Sequence, residues 1–278
     1  MKIAFNQATT MKYSTLEKDL ELCDKYGYDR IEIRLDQLKR YLTKNTIDDL
    51  RTFFQTHRIK PFAFNALEFI NFRDPAGFRQ IEEDLKFLCE CGEIIDCQTI
   101  VVVPTFDIGD YSYRAIKEET VGVLHRLAER AQPYGAKLAL EFCGYPNCSI
   151  NTFAQAYEIV TEVNRDDVGL VLDCFHFYAM NSNLQDLAQA DPNKIMVFHI
   201  DDCEDLPVGS LRDHHRLWPG EGVISLESIL QTLKEIGYRE MASIEVFRPE
   251  YWEWEIEAAI QTAKVTTEEV VGRVFQRV

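Results

Sequence analysis

Apolar residues follow two alternating patterns along this chain. Short runs rich in β-branched residues give way to stretches in which apolar positions return every three or four residues, and the pair then repeats. Strands are predicted at 2–6, 30–34, 59–65, 99–103, 137–141, 168–173, 195–199 and 242–246. Helical periods are predicted between them, at about 14–27, 47–57, 77–94, 113–131, 152–163, 183–189, 226–236 and 254–274. Ser14 and Glu17 have the spacing of a capping box. Pro61 is a mild objection inside its strand, since proline cannot donate to a ladder. Strands that are apolar throughout belong in a parallel sheet covered on both faces. Eight such strand–helix pairs predict an α/β fold, a single-domain (β/α)8 TIM barrel over 1–278. The competing doubly wound sheet needs a glycine-rich turn after its first strand, and Asn6-Gln7-Ala8-Thr9-Thr10 carries no glycine.

Composition narrows the partners. Thirty basic against 46 acidic side chains give a net charge of −16, which argues against binding a phosphate backbone. An apolar share of 46% supports a real core, and 27% charged with 12% aromatic residues excludes a disordered chain, a coiled coil or a collagen. No uninterrupted apolar run approaches the ~18 residues of a membrane span. The first residues carry no long apolar segment, so secretion is not expected and a cytoplasmic location is. Eight cysteines in a chain of this size read as free thiols in a reducing compartment. Cys89, Cys91 and Cys97 lack the two-residue gap of a zinc pair and fall in a helical period, so they are read as helix cysteines.

The candidate chemistry sits where strands end. Glu141, Asp173, His199 and Glu245 each follow an apolar run on four successive predicted strands, and in a barrel those ends meet at one mouth. Singly, each is explained by a salt bridge, a helix cap or a satisfied histidine. Jointly, three converging carboxylates repel one another and call for a cation. With no lysine at these ends, a divalent metal is the natural counter-charge, and the mixed O/N donors suit zinc, manganese, cobalt or magnesium. His176, three residues after Asp173, is placed either to reach a substrate oxygen or to serve as a core or cap histidine. The loop from 201 to 222 is long for a strand–helix connection, and long loops of this kind often carry function. Within it Arg216 would steady an oxyanion and Trp218 would give a ring face to a cyclic substrate. The other reading is a structured surface loop held by Pro219 and two glycines. At the early strand ends, Asn6, Glu32 with Arg34, Asn65 and Glu68 would hydrogen-bond several hydroxyls, or simply cap the helices that follow. Phe64, Phe69 and Phe72 suit either a pocket wall or the core.

These residues carry a resemblance. In the stretches Phe5–Thr10, Ala139–Phe142, Val168–His176, His199–Asp202 and Glu245–Tyr251, the chain resembles the xylose isomerase-like barrel family of sugar isomerases and epimerases. Within that family it is similar to the inosose isomerase branch of inositol catabolism. The resemblance implies Glu141, Asp173, His199 and Glu245 as ligands of one divalent ion, zinc foremost, with no nicotinamide. It implies a small polyol or ketose substrate contacted by His176 and Arg216. The implied reaction interconverts 2-keto-myo-inositol and 1-keto-D-chiro-inositol through a metal-bound cis-enediolate. Glu141 and Glu245 are the acid/base candidates, with Glu245 favoured as base, and His176 serves the oxygen protons. A ketose 3-epimerase or a hydroxypyruvate-type isomerase would share all four ligands and differ in pocket shape. The family's endonuclease branch needs early histidines, whereas only His57 and His125 precede His176 here. Asp213-His214-His215 resembles a zinc-holding Asp-x-His pair of that branch, so a second metal near His176, Asp213 and His215 stays open, as does assembly into a homo-oligomer.

Overall fold

Eight parallel strands close into a barrel in the computed structural model, which describes residues 1–275. Going round it are β1 (Lys2–Asn6), β2 (Arg30–Arg34), β3 (Lys60–Leu67), β4 (Thr99–Val102), β5 (Lys137–Glu141), β6 (Val168–Asp173), β7 (Ile195–Ile200) and β10 (Met241–Ile244), which returns to β1. Two short strands, β8 (Asp202–Cys203) and β9 (Arg216–Leu217), form an antiparallel hairpin inside the long loop after β7. The helices are α1 (Leu16–Lys25), α2 (Leu35–Tyr41), α3 (Ile47–Thr56), α4 (Pro75–Ile95), α5 (Tyr113–Ala131), α6 (Phe153–Val163), α7 (Cys174–Ala179), α8 (Leu184–Ala188), α9 (Leu226–Ile236), α10 (Pro249–Trp252) and α11 (Ile256–Val274). None is long and apolar enough to cross a membrane.

The alternation of the strands divides the interior in two. Outward side chains such as Ile31, Ile100, Leu138, Leu170 and Phe198 join the apolar stripes of the helices in one large core. Inward, Ala63, Val101, Ala139, Val171 and Val197 form a small separate layer that plugs the barrel. Small and β-branched residues fit there because the facing strands leave room for little more.

Several local expectations change. Ser14 does not cap α1: Thr15 does, accepting from Lys18 N at 3.3 Å, while the Ser14 hydroxyl donates to Asp19 at 2.5 Å. A capping box does form on α3, between Thr46 and Asp49. Pro61 sits where the β2–β3 register slips between Ile31 and Glu32, so its missing N–H falls at an irregularity. The seven-residue α2 and six-residue α7 are too short to show a period, and the four-residue α10 precedes the last predicted helix, which is α11.

Asp19 on α1 is 1% exposed and accepts from Gln7 Nε2 at 2.8 Å, Thr10 Oγ1 at 3.0 Å and Ser14 Oγ. Burial nonetheless pushes its carboxyl from 3.8 up to about 6. A folded-state value above the unfolded one favours folding below pH 3.8, and that contribution is lost as the pH rises through about 6. Relative to Asp19→Asn, the wild type should therefore gain about 3 kcal/mol between neutral and strongly acidic pH. Urea unfolding of both proteins across that range checks this, and parallel pH curves would refute it.

Candidate metal centre

Period-two alternation builds the site. Two residues beyond the plugging layer, Ala139, Val171 and Val197 lead to Glu141, Asp173 and His199, and Ser243 leads to Glu245. Parallel register sets Asp173 beside His199, and His199 beside Ser243. One ligand atom from each of Glu141, Asp173, His199 and Glu245 lies within 4.8 Å of all the others, and all four residues are buried. His199 Nδ1 faces this cluster, 2.9 Å from Glu141 Oε1, 3.1 Å from Glu245 Oε2 and 3.7 Å from Asp173 Oδ2. Three carboxylates and one imidazole nitrogen converging at this range fit a divalent ion of the zinc, manganese or cobalt kind.

The charges tell the same story. Burial alone would lower His199, but Glu245, Glu32 and Glu141 hold its imidazolium well above the ordinary histidine range. Burial, partly opposed by His199, pushes Glu141 up to about 7. For Asp173, burial is outweighed by Arg216, His176 and His199, which hold it far below the usual carboxylate range. Glu245 is likewise brought down by His199 and Arg216 against its burial.

Arg216 reaches this cluster from β9. Its buried guanidinium donates from Nη1 to Asp173 Oδ2 at 2.7 Å and to Asp201, and from Nη2 to Asp213 Oδ1 at 3.1 Å. Nη2 also lies 3.1 Å from His176 Nε2. A guanidinium only donates, so Nε2 of His176 accepts and the ring proton sits on Nδ1. That buried Nδ1 has no partner, and His176 lines the cavity. Burial, reinforced by Arg216, lowers the His176 pKa. A Cβ on Gly144 would stand 2.5 Å from the His176 carbonyl oxygen and 2.9 Å from its Cα, so the chain after β5 lies directly on the backbone of this residue. Above the cluster opens a cavity of about 760 Å³, walled by Glu141, Glu245, Asn65, His176, Arg216 and the rings of Phe69, Phe106 and Phe247.

Some expected residues are elsewhere. Trp218 is 1% exposed and stacks on Tyr251 with ring centroids 4.2 Å apart, which pins the loop and presents no face to the cavity. Asn6 and Glu32 are fully buried and outside the cavity wall. Asn6 Nδ2 donates to Glu245 Oε1 at 2.7 Å, and Glu32 lies against His199 Nε2. Asn65 does face the cavity and adds a 3.3 Å bond to the same Glu245 oxygen. Phe64 belongs to the outer core, Phe72 rests on Tyr111, and Phe69, 38% exposed, reaches the cavity. The structure does not gather His176, Asp213 and His215 into a second ligand cluster. Arg216 holds both Asp213 and His176 Nε2, His215 Nδ1 accepts from Arg212 N, and the described residues contain one metal-type cluster alone. Sequence reasoning overlooked Asp201, which takes the Phe175 N–H and Arg216. It lies two residues after His199, so the same alternation marks it.

Comparison with known proteins agrees with this architecture. The family model of the xylose isomerase-like TIM barrel matches residues 20–266. An inosose isomerase of Halalkalibacterium halodurans is 52% identical over 276 residues, spanning 99% of this chain and 98% of that protein. An inosose isomerase of Bacillus subtilis is also 52% identical, spanning 99% of both chains. A crystal structure of IOLI protein with a binding zinc atom superposes with a TM-score of 0.97 at 51% identity, over 100% of both chains.

Proposed function

The chain belongs to the xylose isomerase-like TIM barrel family, and from that premise we propose that it interconverts 2-keto-myo-inositol and 1-keto-D-chiro-inositol with one bound divalent metal, zinc foremost. It is an isomerase that acts on a small polyol-type substrate. One observation carries the reading: a buried Glu–Asp–His–Glu cluster under a cavity, in a chain half identical from end to end to inosose isomerases. The free, buried cysteines fit a reducing cytoplasm.

Held by Glu141, Asp173, His199 and Glu245, the ion supplies Lewis acidity toward the adjoining carbonyl and hydroxyl oxygens of the substrate. The protein moves the protons. Glu245 has its Oε1 fixed by two amides and its Oε2 beside Arg216 Nη1 at 3.4 Å, an arrangement that keeps it an ionised ligand. Among the described residues, the polar side-chain atom within hydrogen-bond distance of the Glu141 carboxylate is His199 Nδ1, 2.9 Å from Oε1. Oε2 of Glu141 accepts from no described side chain, which leaves one carboxylate oxygen free to take up and return a proton. Glu141, rather than Glu245, is therefore assigned to take the proton from the hydroxyl-bearing carbon and return it to the neighbouring carbon of the enediolate. The Nδ1–H of His176 donates to a substrate oxygen and serves the hydroxyl proton.

Turnover in deuterated water should place deuterium on the product carbon, at least in part. A product unlabelled at every time point indicates hydride transfer and overturns the mechanism. A panel of inososes, psicose, tagatose and hydroxypyruvate tests the substrate. Preferential turnover of a free ketose moves the assignment to a 3-epimerase.

A further inference from the structure

We propose that Glu32 is a positioning residue that holds His199 in its metal-binding tautomer. The proposal rests on the metal reading above. Glu32 lies on β2 in register with Ala63 of the plugging layer, one pleat deeper than Asn65, which pairs with Arg34. From that depth it meets His199 from beneath rather than facing substrate. Its Oε1 and Oε2 are 3.1 and 3.2 Å from His199 Nε2, and both side chains are fully buried.

The imidazole has two nitrogens and opposing demands on them. On the Nδ1 side stand Glu141 and Glu245, at 2.9 and 3.1 Å, each an acceptor that attracts a ring proton. A proton on Nδ1 occupies the lone pair that a metal needs. On the far side Glu32 is also an acceptor: when an ion takes the place of the Nδ1 proton of the imidazolium, the proton that stays is the one on Nε2 bonded to Glu32. Glu32 is the group among the described residues that draws the proton away from the ligand cluster.

Stability gives no reason for this carboxylate. Among the described residues its hydrogen bonds and ion pairs go to His199 alone, and a buried carboxylate with one partner recovers little of its desolvation penalty. Asn6 serves Glu245 in a comparable way, but an amide on a carboxylate selects no tautomer.

The test compares wild type and Glu32→Gln, each stripped of metal. An amide can accept from or donate to Nε2, so the variant keeps the shape and loses the tautomer preference. Zinc affinity is read by competition with a chromogenic chelator, and thermal stability is read on the metal-free proteins. The expected result is a zinc Kd raised roughly 10–100-fold with a metal-free Tm no lower than that of wild type. Glu32→Met, which offers Nε2 no acceptor, should weaken zinc at least as much. An unchanged Kd in folded Glu32→Gln overturns the proposal, as does failure of both variants to fold, which makes Glu32 structural. If wild type itself fails to bind zinc, the metal reading falls first.

Discussion

Removal of the metal by a chelator lowers turnover by about three orders of magnitude or more, and added zinc restores it. The magnitude follows from the several kcal/mol that a Lewis acid contributes where charge develops on oxygen, at 1.36 kcal/mol per tenfold. The remaining cations do not replace it. Arg216 Nη1 is spent on Asp173 and Asp201, Nη2 on Asp213 and His176, and His199 is buried beneath the carboxylates. Loss of the ion also leaves Glu141, Asp173 and Glu245 converging with a weaker counter-charge, so the metal-free protein melts at a lower temperature. Turnover and melting are measured before and after dialysis, with elemental analysis of each sample. Full activity in a sample shown to be metal-free is incompatible with this centre.

Glu141→Gln reduces kcat at saturating zinc by about 10²–10⁴-fold, the usual worth of a positioned acid/base. The amide still offers an oxygen to the ion but carries no exchangeable proton of suitable acidity. Solvent deuterium should then fail to enter recovered substrate as well as product. Glu245→Gln behaves differently. It disturbs a ligand whose Oε1 already accepts from Asn6 and Asn65, so its main effect is on zinc affinity rather than on kcat once the ion is supplied in excess. Equal loss of kcat in both variants at saturating zinc would mean that the two carboxylates share the proton transfer.

The sequence makes legible those parts of the site that obey strand alternation. An apolar inward layer followed two residues later by Glu141, Asp173 or His199 is visible without coordinates, because the pleat dictates it. Depth within the barrel is not visible. Glu32 and Asn6 sit at strand ends in the sequence, yet the β2–β3 register sets Glu32 level with Ala63, beneath the ligands instead of among substrate hydroxyls. Long-range claims on a side chain are also hidden. Ser14 has the spacing of a cap, but the buried Asp19 takes its hydroxyl. Trp218 has the composition of a substrate platform, but the β8–β9 hairpin and Tyr251 turn its ring inward. Arg216 was legible as a cation in a loop, while its partners Asp173, His176, Asp201 and Glu245 come from separate parts of the chain.

The bare backbone at Gly144 has a bearing on how this enzyme diversifies. Since a methyl group there would strike the peptide of His176, the segment after β5 and the backbone that carries this histidine are packed as a single piece. Accommodation of a bulkier or differently puckered ring is open to Phe69 and Phe106, which stand on the segments after β3 and β4, pack edge to face on each other and line the cavity. Selectivity is thereby free to drift on one side of the barrel mouth while the reacting groups on the opposite side stay fixed.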